Sequence, residues 1–276
     1  MRTQSPTVRL ELASRPQVLT IVRGMLAGVA EPLSIEAELL DDVKTAVSEA
    51  CNNVVLHAYR GDAGPMDITV FAGSEVVRIA VTDRGVGMPP AGEDSGPGIG
   101  LSVIRALTES VTLGRGPEGG TCIEMEFAAV RQGRTLLQAP DIPGPDHGWP
   151  PTAADEVALS VSPISLLASV LGRMARTLAA TAHFSLDRFS DVYLITDALA
   201  AHAGEAALDG RIDARLCAGE RRLELEVGPF RTGASDHLTE PASGTGSPLA
   251  LLSDELTIEF GDPGERVRVM VADRRQ

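Results

Sequence analysis

The chain has 276 residues, of which 43% are hydrophobic and 3% aromatic, so it can form one large or two modest domains with aliphatic cores. Its formal net charge of −14, without any basic run, argues against a nucleic-acid-binding surface. No apolar stretch reaches the length of about 20 residues that a membrane helix needs, and no signal peptide opens the chain. We therefore expect a cytoplasmic protein that binds neither nucleic acid nor membrane.

Lysine and cysteine usage exclude further kinds of site. Lys44 is the only lysine, so the chain lacks the Gly-Lys-Ser/Thr loop of Walker-type nucleotide sites. Cys51, Cys122 and Cys217 are widely spaced and match neither a disulfide framework nor a metal-binding pattern. We interpret them as small hydrophobic side chains in a reducing compartment.

The first predicted elements are a strand and a helix. Residues 7–12 alternate between apolar and polar side chains, which predicts a strand. Ser14 and Pro16 signal the start of a helix. Apolar residues then recur at helical spacing at Val18, Val22, Met25 and Val29. This stripe predicts a helix that packs on the core.

The second predicted helix carries the first candidate functional residues. Ser34 is expected to cap it, and its apolar stripe runs to about Leu56. Glu49 and Asn53 are four residues apart and share another face of this helix. A carboxylate can accept a proton from an attacking hydroxyl. A carboxamide oxygen is a hard ligand suited to a magnesium ion that carries phosphates. His57, at the helix end, is interpreted as structural rather than as a ligand or base.

A predicted hairpin leads to the second group of candidates. Residues 66–71 and 76–82 have strand patterns and flank a short turn. Asp83 follows the second strand, where its carboxylate can accept the exocyclic amine of a base. Gly85 and Gly87 allow the backbone to approach a ligand closely.

A third group precedes another apolar run. Gly96, Gly98 and Gly100 alternate with other residues up to Leu101, where a helix is predicted to begin. A glycine-rich loop that enters a helix N-terminus can hold phosphate. Residues 121–127 alternate again and are expected to close the sheet. Together these groups predict a nucleotide site that needs no lysine-bearing loop.

The motifs, in this order, resemble those of the GHKL ATPase superfamily. The chain carries Glu49-Ala50-Cys51-Asn52-Asn53, Asp83-Arg84-Gly85-Val86-Gly87, Gly96-Pro97-Gly98-Ile99-Gly100-Leu101 and Gly119-Gly120-Thr121. They are similar to the N box, the two glycine boxes and the closing Gly-Thr element of that superfamily. Within it, the segment from Ser48 to Tyr59 most resembles the bacterial anti-sigma-factor serine kinases. The resemblance covers residues 8–128.

This resemblance implies an α+β fold, a two-layer α/β sandwich, with ATP and Mg²⁺ as cofactors. Asn53 would hold Mg²⁺, and Glu49 would orient or deprotonate the acceptor hydroxyl. Asp83 would read adenine, supported by Thr121. The remaining cofactor-binding residues implied by the motifs are Gly85, Gly87, Gly98, Gly100 and Leu101.

The implied activity is that of an ATP-dependent serine/threonine protein kinase and anti-sigma factor. Such a protein binds a sigma factor and phosphorylates a STAS-domain anti-sigma antagonist. The alternative is an ATP-binding module that sequesters a partner without phosphotransfer. A sensor histidine kinase is disfavoured because the first histidine, His57, lies inside the motif. A dinucleotide-binding oxidoreductase is disfavoured because no Gly-x-Gly-x-x-Gly follows the first strand.

The chain is predicted to contain two domains joined by a linker. Residues 1–130 form the ATP-binding kinase domain, and residues 131–156, rich in proline and glycine, form the linker. Residues 157–276 are predicted to be a degenerate GHKL-like copy, because the same order of elements recurs there. An unrelated α+β domain is the alternative.

The predicted copy lacks the site residues. In the sequence alignment of the two halves, Ala200 takes the place of Glu49 and Gly204 that of Asn53. Pro229 takes the place of Asp83. The copy should therefore bind no ATP.

The resemblance also bears on assembly, because related proteins commonly act as homodimers of the first type of domain. A flexible tether raises the effective concentration of one domain near the other to about millimolar. We therefore expect an internal pseudo-dimer, in which the apolar face that begins at Val18 meets its counterpart within the chain. The alternative is an ordinary homodimer.

Overall fold

The computed structural model describes residues 7–73, 75–87, 99–116, 119–128, 156–239 and 247–273. Gly98 and nearly all of the predicted linker lie outside these ranges. Within them, no helix is both long enough and apolar enough to cross a membrane.

The described residues of the first half form five strands and three α-helices. The strands are β1 (Thr7–Ala13), β2 (Pro65–Ala72), β3 (Val76–Asp83), β4 (Ser110–Arg115) and β5 (Thr121–Ala128). The helices are α1 (Val18–Ala30), α2 (Ala37–Asn53) and α3 (Ile99–Leu107). A π-helical turn, Val54–Ala58, continues α2.

The described part of the second half also contains five strands and three helices. The strands are β6 (Glu156–Ser162), β7 (Ile212–Gly219), β8 (Arg222–Phe230), β9 (Glu255–Phe260) and β10 (Glu265–Ala272). The helices are α4 (Leu167–Thr181), α5 (Leu186–Ala206) and α6 (Pro248–Leu252). The fold is thus a mixture of helix and strand, consistent with the α+β class. Strand β6 begins at Glu156, the residue at which the predicted linker ends.

All ten strands form one sheet, in the order β4-β5-β3-β2-β1-β6-β7-β8-β10-β9. Each neighbouring pair is antiparallel. The two halves meet where β1 pairs with β6, with Leu10 opposite Leu159. Counted outward from this central pair, the strands of the two halves follow the same order.

The hydrophobic core lies on one face of the sheet and is continuous across both halves. A row of directly paired residues crosses eight strands, and each is at most 2% exposed: Ile123, Val81, Ile68, Leu10, Leu159, Ala214, Val227 and Val267. Because strand side chains alternate between faces, one face is apolar and the helices cover it. Full burial of each large aliphatic side chain contributes about 1.5–3 kcal/mol.

The opposite face of the sheet carries cross-strand ion pairs. Arg9 Nη2 lies 2.6 Å from Asp67 Oδ1. Arg78 pairs with Glu126 from directly opposite positions of β3 and β5. In the second half, Arg266 Nη1 lies 3.0 Å from Glu226 Oε1. This alternation of apolar and charged residues is the pattern from which the strands were predicted.

Helices α1 and α4 pack against each other across the junction of the halves. Val22, Met25 and Val29 of α1 are buried, as their spacing predicts. A Cβ atom added at Gly28 would lie 2.7 Å from Val170 Cα, so the two backbones approach closely. At the end of α1, Arg173 Nη2 lies 2.7 Å from Glu31 Oε2. The apolar face that begins at Val18 therefore meets a helix of the second half.

The start and end of the second helix differ from the prediction. Ser34 does not cap it: α2 begins at Ala37 after Glu36, and Ser34 has a φ of +52°. The α-helical part ends at Asn53 rather than near Leu56, because the π-helical turn replaces the last turn.

Two edge strands, β4 and β9, were not predicted. Within the part of the chain that the structure describes, each lies at an outer edge of the sheet and pairs with one neighbour. Five of the six side chains of β4 are exposed, so its sequence lacks the regular burial that produces a clear alternation.

Candidate nucleotide site

Glu49 and Asn53 lie on the last turn of α2, and both are half-buried. At this point the helical hydrogen bonding changes, and the amide of Val54 donates to the carbonyl oxygens of both Ala50 and Cys51. Single π-helical turns within α-helices occur frequently at functional sites. The motif helix therefore changes its winding directly after the residue predicted to bind magnesium.

The N-terminal turn of α3 lies against these two side chains. A Cβ atom added at Gly100 would lie 2.8 Å from Glu49 Oε2 and 3.7 Å from Asn53 Oδ1. Only glycine therefore fits here without a shift of the Glu49 carboxylate. The first amides of a helix have no partner within the helix, and its N-terminus favours negative charge. The structure thus brings three predicted residues to one place where a phosphate can be bound.

Asp83 ends β3 and is only 3% exposed. Its Oδ1 atom accepts a hydrogen bond from the amide of Gly85 at 2.8 Å, which fixes the orientation of the carboxylate. A carboxylate has two oxygens with about four acceptor positions, so this bond leaves capacity for a ligand amine.

The backbone that leads into β5 passes directly over Asp83. A Cβ atom added at Gly120 would lie 2.0 Å from the carbonyl oxygen of Asp83. The amide of Gly116 donates to the carbonyl oxygen of Gly120 at 2.8 Å, which closes the turn between β4 and β5. Thr121 is half-buried and begins β5 beside the end of β3, since Thr82 pairs with Cys122. Thr121 and Asp83 therefore lie at the same edge of the site.

The loop after Asp83 is attached to the π-helical turn. A Cβ atom at Gly85 would lie 2.2 Å from the carbonyl oxygen of Ala58, and the amide of Val86 donates to that oxygen at 2.9 Å. Gly87 has a φ of +75°, a conformation that favours glycine. Both glycines are therefore required by the backbone, and they connect the loop after Asp83 to the end of the motif helix.

Tyr59, at the end of the motif segment, is a candidate positioning residue to which the sequence alone assigns no role. Its hydroxyl donates to the carbonyl oxygen of Pro65 at 2.5 Å and accepts from the amide of Arg84 at 2.9 Å. Its ring packs on the backbone, because a Cβ atom at Gly64 would lie 2.3 Å from Tyr59 Cε1. Burial raises the pKa of the Tyr59 hydroxyl above its ordinary value, so it remains a hydrogen-bond donor at neutral pH.

Thr82 and Arg84, the residues on either side of Asp83, make contacts of their own. The hydroxyl of Thr82 donates to the sulfur of Cys122 at 3.3 Å, and burial raises the pKa of this thiol. Arg84 Nη2 lies 3.6 Å from Asp67 Oδ2, so this arginine is directed to Asp67 on the charged face of the sheet.

The donor set is compatible with magnesium bound together with phosphate. Among the described residues, no cluster of three or more His, Cys, Asp or Glu side chains could hold a metal ion alone. Mg²⁺ commonly takes one or two protein ligands and fills its other positions with water and substrate phosphates. The half-buried Asn53 amide beside the α3 N-terminus fits that role.

The predicted residues thus form two neighbouring groups. Glu49, Asn53 and Gly100 meet at the α2–α3 contact, and Asp83, Gly85, Gly87 and Thr121 surround the end of β3. Ala58 connects the groups. Leu101 is half-buried and packs against the core from α3. Gly98 lies outside the described residues.

Comparison with known proteins identifies similar chains. Residues 12–127 match the family described as the histidine kinase-like ATPase domain. The serine-protein kinase RsbW of Listeria monocytogenes serotype 4a (strain HCC23) is 30% identical over 129 residues, which cover 41% of this chain and 82% of that protein. The RsbW proteins of Bacillus mycoides (strain KBAB4) and Bacillus cereus (strain ATCC 10987 / NRS 248) are each 33% identical over 79 residues, covering 29% of this chain.

These matches differ in how much of each relative they cover. The chain spans about half the length, 49%, of the two Bacillus relatives. A solved structure, crystal form III of TP0453, aligns with 97% of this chain, and the alignment covers 91% of the TP0453 chain. The sequence identity is 12% and the TM-score is 0.32. That score is too low to bear on the fold.

Proposed function

Since the chain belongs to the histidine kinase-like ATPase family, we propose that residues 1–130 are an ATP-dependent protein kinase domain. The proposed acceptor is a serine or threonine hydroxyl of a STAS-domain anti-sigma antagonist. The same protein would sequester a sigma factor and so act as an anti-sigma factor. The similarity to the serine-protein kinases named RsbW supports this choice of activity and partners.

The observation that carries the proposal is the contact between α2 and the N-terminus of α3. Gly100 brings the start of α3 against Glu49 and Asn53, with a Cβ position 2.8 Å from Glu49 Oε2. A potential proton acceptor, a hard oxygen ligand and unpaired helix amides therefore lie together. Phosphoryl transfer depends mostly on positioning and charge neutralisation, so this small set of groups is sufficient.

The proposed reaction moves one phosphoryl group and one proton. The acceptor hydroxyl oxygen forms a bond to the γ-phosphorus of ATP, and the bond from that phosphorus to the β,γ-bridging oxygen breaks, which releases ADP. Glu49 orients the hydroxyl and accepts its proton. Mg²⁺, when bound, would neutralise phosphate charge, and Asn53 is the side chain proposed to hold it.

Asp83 is proposed to select adenine. Its carboxylate is held by the amide of Gly85 and can accept the exocyclic amine of the base. Gly85, Gly87, Gly98, Gly100, Leu101 and Thr121 would form the remaining walls of the nucleotide site.

The test separates binding from chemistry in the intact chain. Glu49→Ala should reduce phosphate transfer to the antagonist by about 10²–10⁴-fold, the usual contribution of a general base. ATP affinity should remain close to wild type, because Glu49 is assigned to the acceptor rather than to the nucleotide. Radiolabel transfer and titration calorimetry measure the two quantities.

Asp41→Ala is the matched control, since Asp41 is an exposed carboxylate two turns earlier on α2. It should change neither quantity. An unchanged transfer rate in Glu49→Ala would remove this residue from the mechanism. Tight ATP binding without any transfer by the wild type would favour the alternative, an ATP-binding module that only sequesters its partner.

A further inference from the structure

We propose that residues 157–273 are a second copy of the ATPase fold whose nucleotide pocket is closed by its own buried side chains. The chain would then be a built-in pair of domains with a single nucleotide site. The inference rests on the proposed function only for the identity of the ligand in the first half. The side chains that close the pocket all lie in the second half, and their contacts do not depend on that ligand.

The registers of the two hairpins support a common origin. A shift of 146 residues maps the pair Asp67–Thr82 of β2 and β3 onto the pair Asp213–Gly228 of β7 and β8. The same shift maps Gly87 onto Gly233, and their φ angles are +75° and +77°. The loop of the nucleotide site therefore recurs in the second half with the same unusual backbone conformation.

A second glycine contact also recurs. A Cβ atom at Gly120 would lie 2.0 Å from the carbonyl oxygen of Asp83, at the end of β3. A Cβ atom at Gly264 would lie 2.2 Å from the carbonyl oxygen of Phe230, at the end of β8. Strand β5 in the first half and strand β10 in the second half thus both begin beside the end of the hairpin.

The burial patterns of α2 and α5 give the helix register. With a shift of 149 residues, five buried positions of α2 and its π-helical turn map onto buried positions of α5: Val192, Ile195, Thr196, Leu199 and Ala203. This register differs by two residues from the sequence alignment. In this register Glu49 aligns with Ala198, and Asn53 aligns with His202. Either register gives alanine in place of the proposed base.

Buried side chains occupy the corresponding pocket. His202 Nε2 lies 3.0 Å from Ser235 Oγ, and the His202 ring meets Phe230 edge-on with centroids 4.7 Å apart. Glu265, at the position that corresponds to Thr121, accepts from the amides of Gly233 and Ser235. The four side chains of this network (His202, Phe230, Ser235 and Glu265) are at most 6% exposed.

The network closes the pocket because it joins its three sides. His202 comes from the helix that would carry the metal ligand, Ser235 from the loop after the hairpin and Glu265 from the last strand. A buried carboxylate is costly unless hydrogen bonds satisfy it, and here two amides do so. A nucleotide could enter only if these bonds were broken.

The second half instead completes the surface of the first. Strand β6 pairs along the free edge of β1, and α4 covers α1. An unpaired strand edge would otherwise be available for another chain. The second half therefore holds the place that a second subunit would occupy.

Hydrogen exchange on the intact chain, with and without Mg²⁺ and a non-hydrolysable ATP analogue, tests the closed pocket. We expect the amides of residues 85–87 to gain protection on binding. The amides of Gly233 and Ser235 should be protected already in the free protein, and the nucleotide should not speed their exchange. Calorimetry should give one nucleotide per chain, and Asp83→Asn should weaken all of the binding.

A pair of variants makes the result specific. Glu265→Ala should speed the exchange of Gly233 and Ser235 by at least about tenfold, since a hydrogen bond to a charged group is worth about 1.5–3 kcal/mol. Glu259→Ala, at an exposed position of β9, should leave that exchange unchanged.

Several outcomes would overturn the proposal. They are fast exchange of Gly233 and Ser235 in the free wild type, faster exchange of these amides on nucleotide addition, or a second nucleotide per chain. If the wild type bound no nucleotide, the proposed function would fail. Slow exchange of the two amides, lost in Glu265→Ala, would still support the closed pocket.

Discussion

Single hydrogen bonds determine how the loop after Asp83 is held. Tyr59 lies just after the π-helical turn. Its hydroxyl accepts a hydrogen bond from the amide of Arg84, the residue after Asp83. The same hydroxyl donates to Pro65 at the start of β2. We therefore propose that Tyr59 is a positioning residue, which would act on the nucleotide through the loop that follows Asp83.

Tyr59→Phe should lower both ATP affinity and the preference for ATP over GTP. The lost hydrogen bond to the amide of Arg84 is worth about 1 kcal/mol, so we expect a fall of about fivefold in ATP affinity. GTP affinity should change little, because Asp83 is proposed to recognise the amine of adenine. Competition binding of the two nucleotides measures the ratio.

The matched control is Tyr193→Phe, which alters a half-exposed tyrosine of α5 in the other half. A merely structural role for Tyr59 would lower stability and leave the ATP-to-GTP ratio unchanged, and that result would contradict the assignment.

The titration of His202 makes stability depend on pH. Burial lowers the pKa of His202 below its ordinary value of 6.5. The nearby His237 lowers this pKa further, while Glu205 and Glu265 oppose the shift. The unfolded chain therefore binds a proton at this residue at a higher pH than the folded chain does. Stability should fall as the pH drops through about 6.5 toward the lower pKa of the folded state.

Urea unfolding at pH 7.5 and pH 5.5 tests this dependence. His202→Gln keeps a hydrogen-bonding group for Ser235 but does not titrate, so it should lose less stability at pH 5.5 than the wild type does. His57→Gln, at an exposed histidine, should behave as the wild type. Equal pH dependence in all three proteins would contradict a neutral, buried His202.

At the scale of elements, helix pairs position the site and join the halves. Helix α3 lies against α2 through Gly100, and α1 lies against α4 through Gly28. At Gly28 an added Cβ atom would be 2.7 Å from Val170 Cα and 2.8 Å from the carbonyl oxygen of Ser169. Both neighbours are backbone atoms, which cannot rotate away as a side chain can.

Gly28→Ala should therefore destabilise the protein, although alanine is the better helix former. The intrinsic gain of glycine to alanine within a helix is about 1 kcal/mol. Gly204→Ala supplies the control, because Gly204 is also helical but an added Cβ atom there meets no atom within 4 Å. We expect that control to gain stability in urea unfolding. A comparable gain in Gly28→Ala would show that α1 and α4 are not in close contact.

At the scale of the whole molecule, the two halves share one sheet and one buried face. The central pair Leu10–Leu159 lies in the middle of the buried row that crosses both halves. Because no break separates two cores, the halves should unfold together. This behaviour is expected of a single cooperative domain.

Leu10→Ala should accordingly destabilise both halves. Truncation of a fully buried leucine costs about 2–5 kcal/mol. Hydrogen exchange in moderate denaturant should show a similar loss of protection in β2–β3 and in β7–β8. Leu113→Ala, on the exposed edge strand β4, should have a much smaller effect. Loss of protection confined to the first half would mean that the halves unfold independently.

The sequence by itself determined the local elements and the motif residues. Alternation predicted β1, β2, β3 and β5. In β1 and β5 one face is the more buried, whereas in β2 and β3 the apolar face is fully buried and the other face is buried in part. Helical spacing predicted α1 and α2, because each buries one apolar stripe. The order of the motifs identified the family, because a nucleotide site of this type needs glycine and acidic or amide residues at set points along the chain.

Only the tertiary structure decided how these parts meet. Ser34 and the end of α2 were predicted wrongly, since competing local hydrogen bonds near a helix end are settled by packing. The role of Tyr59 depends on Arg84, 25 residues away. The alignment of His202 with Asn53 depends on the burial patterns of α2 and α5. The pairing of β1 with β6 joins residues about 150 positions apart, and no local pattern encodes such a contact.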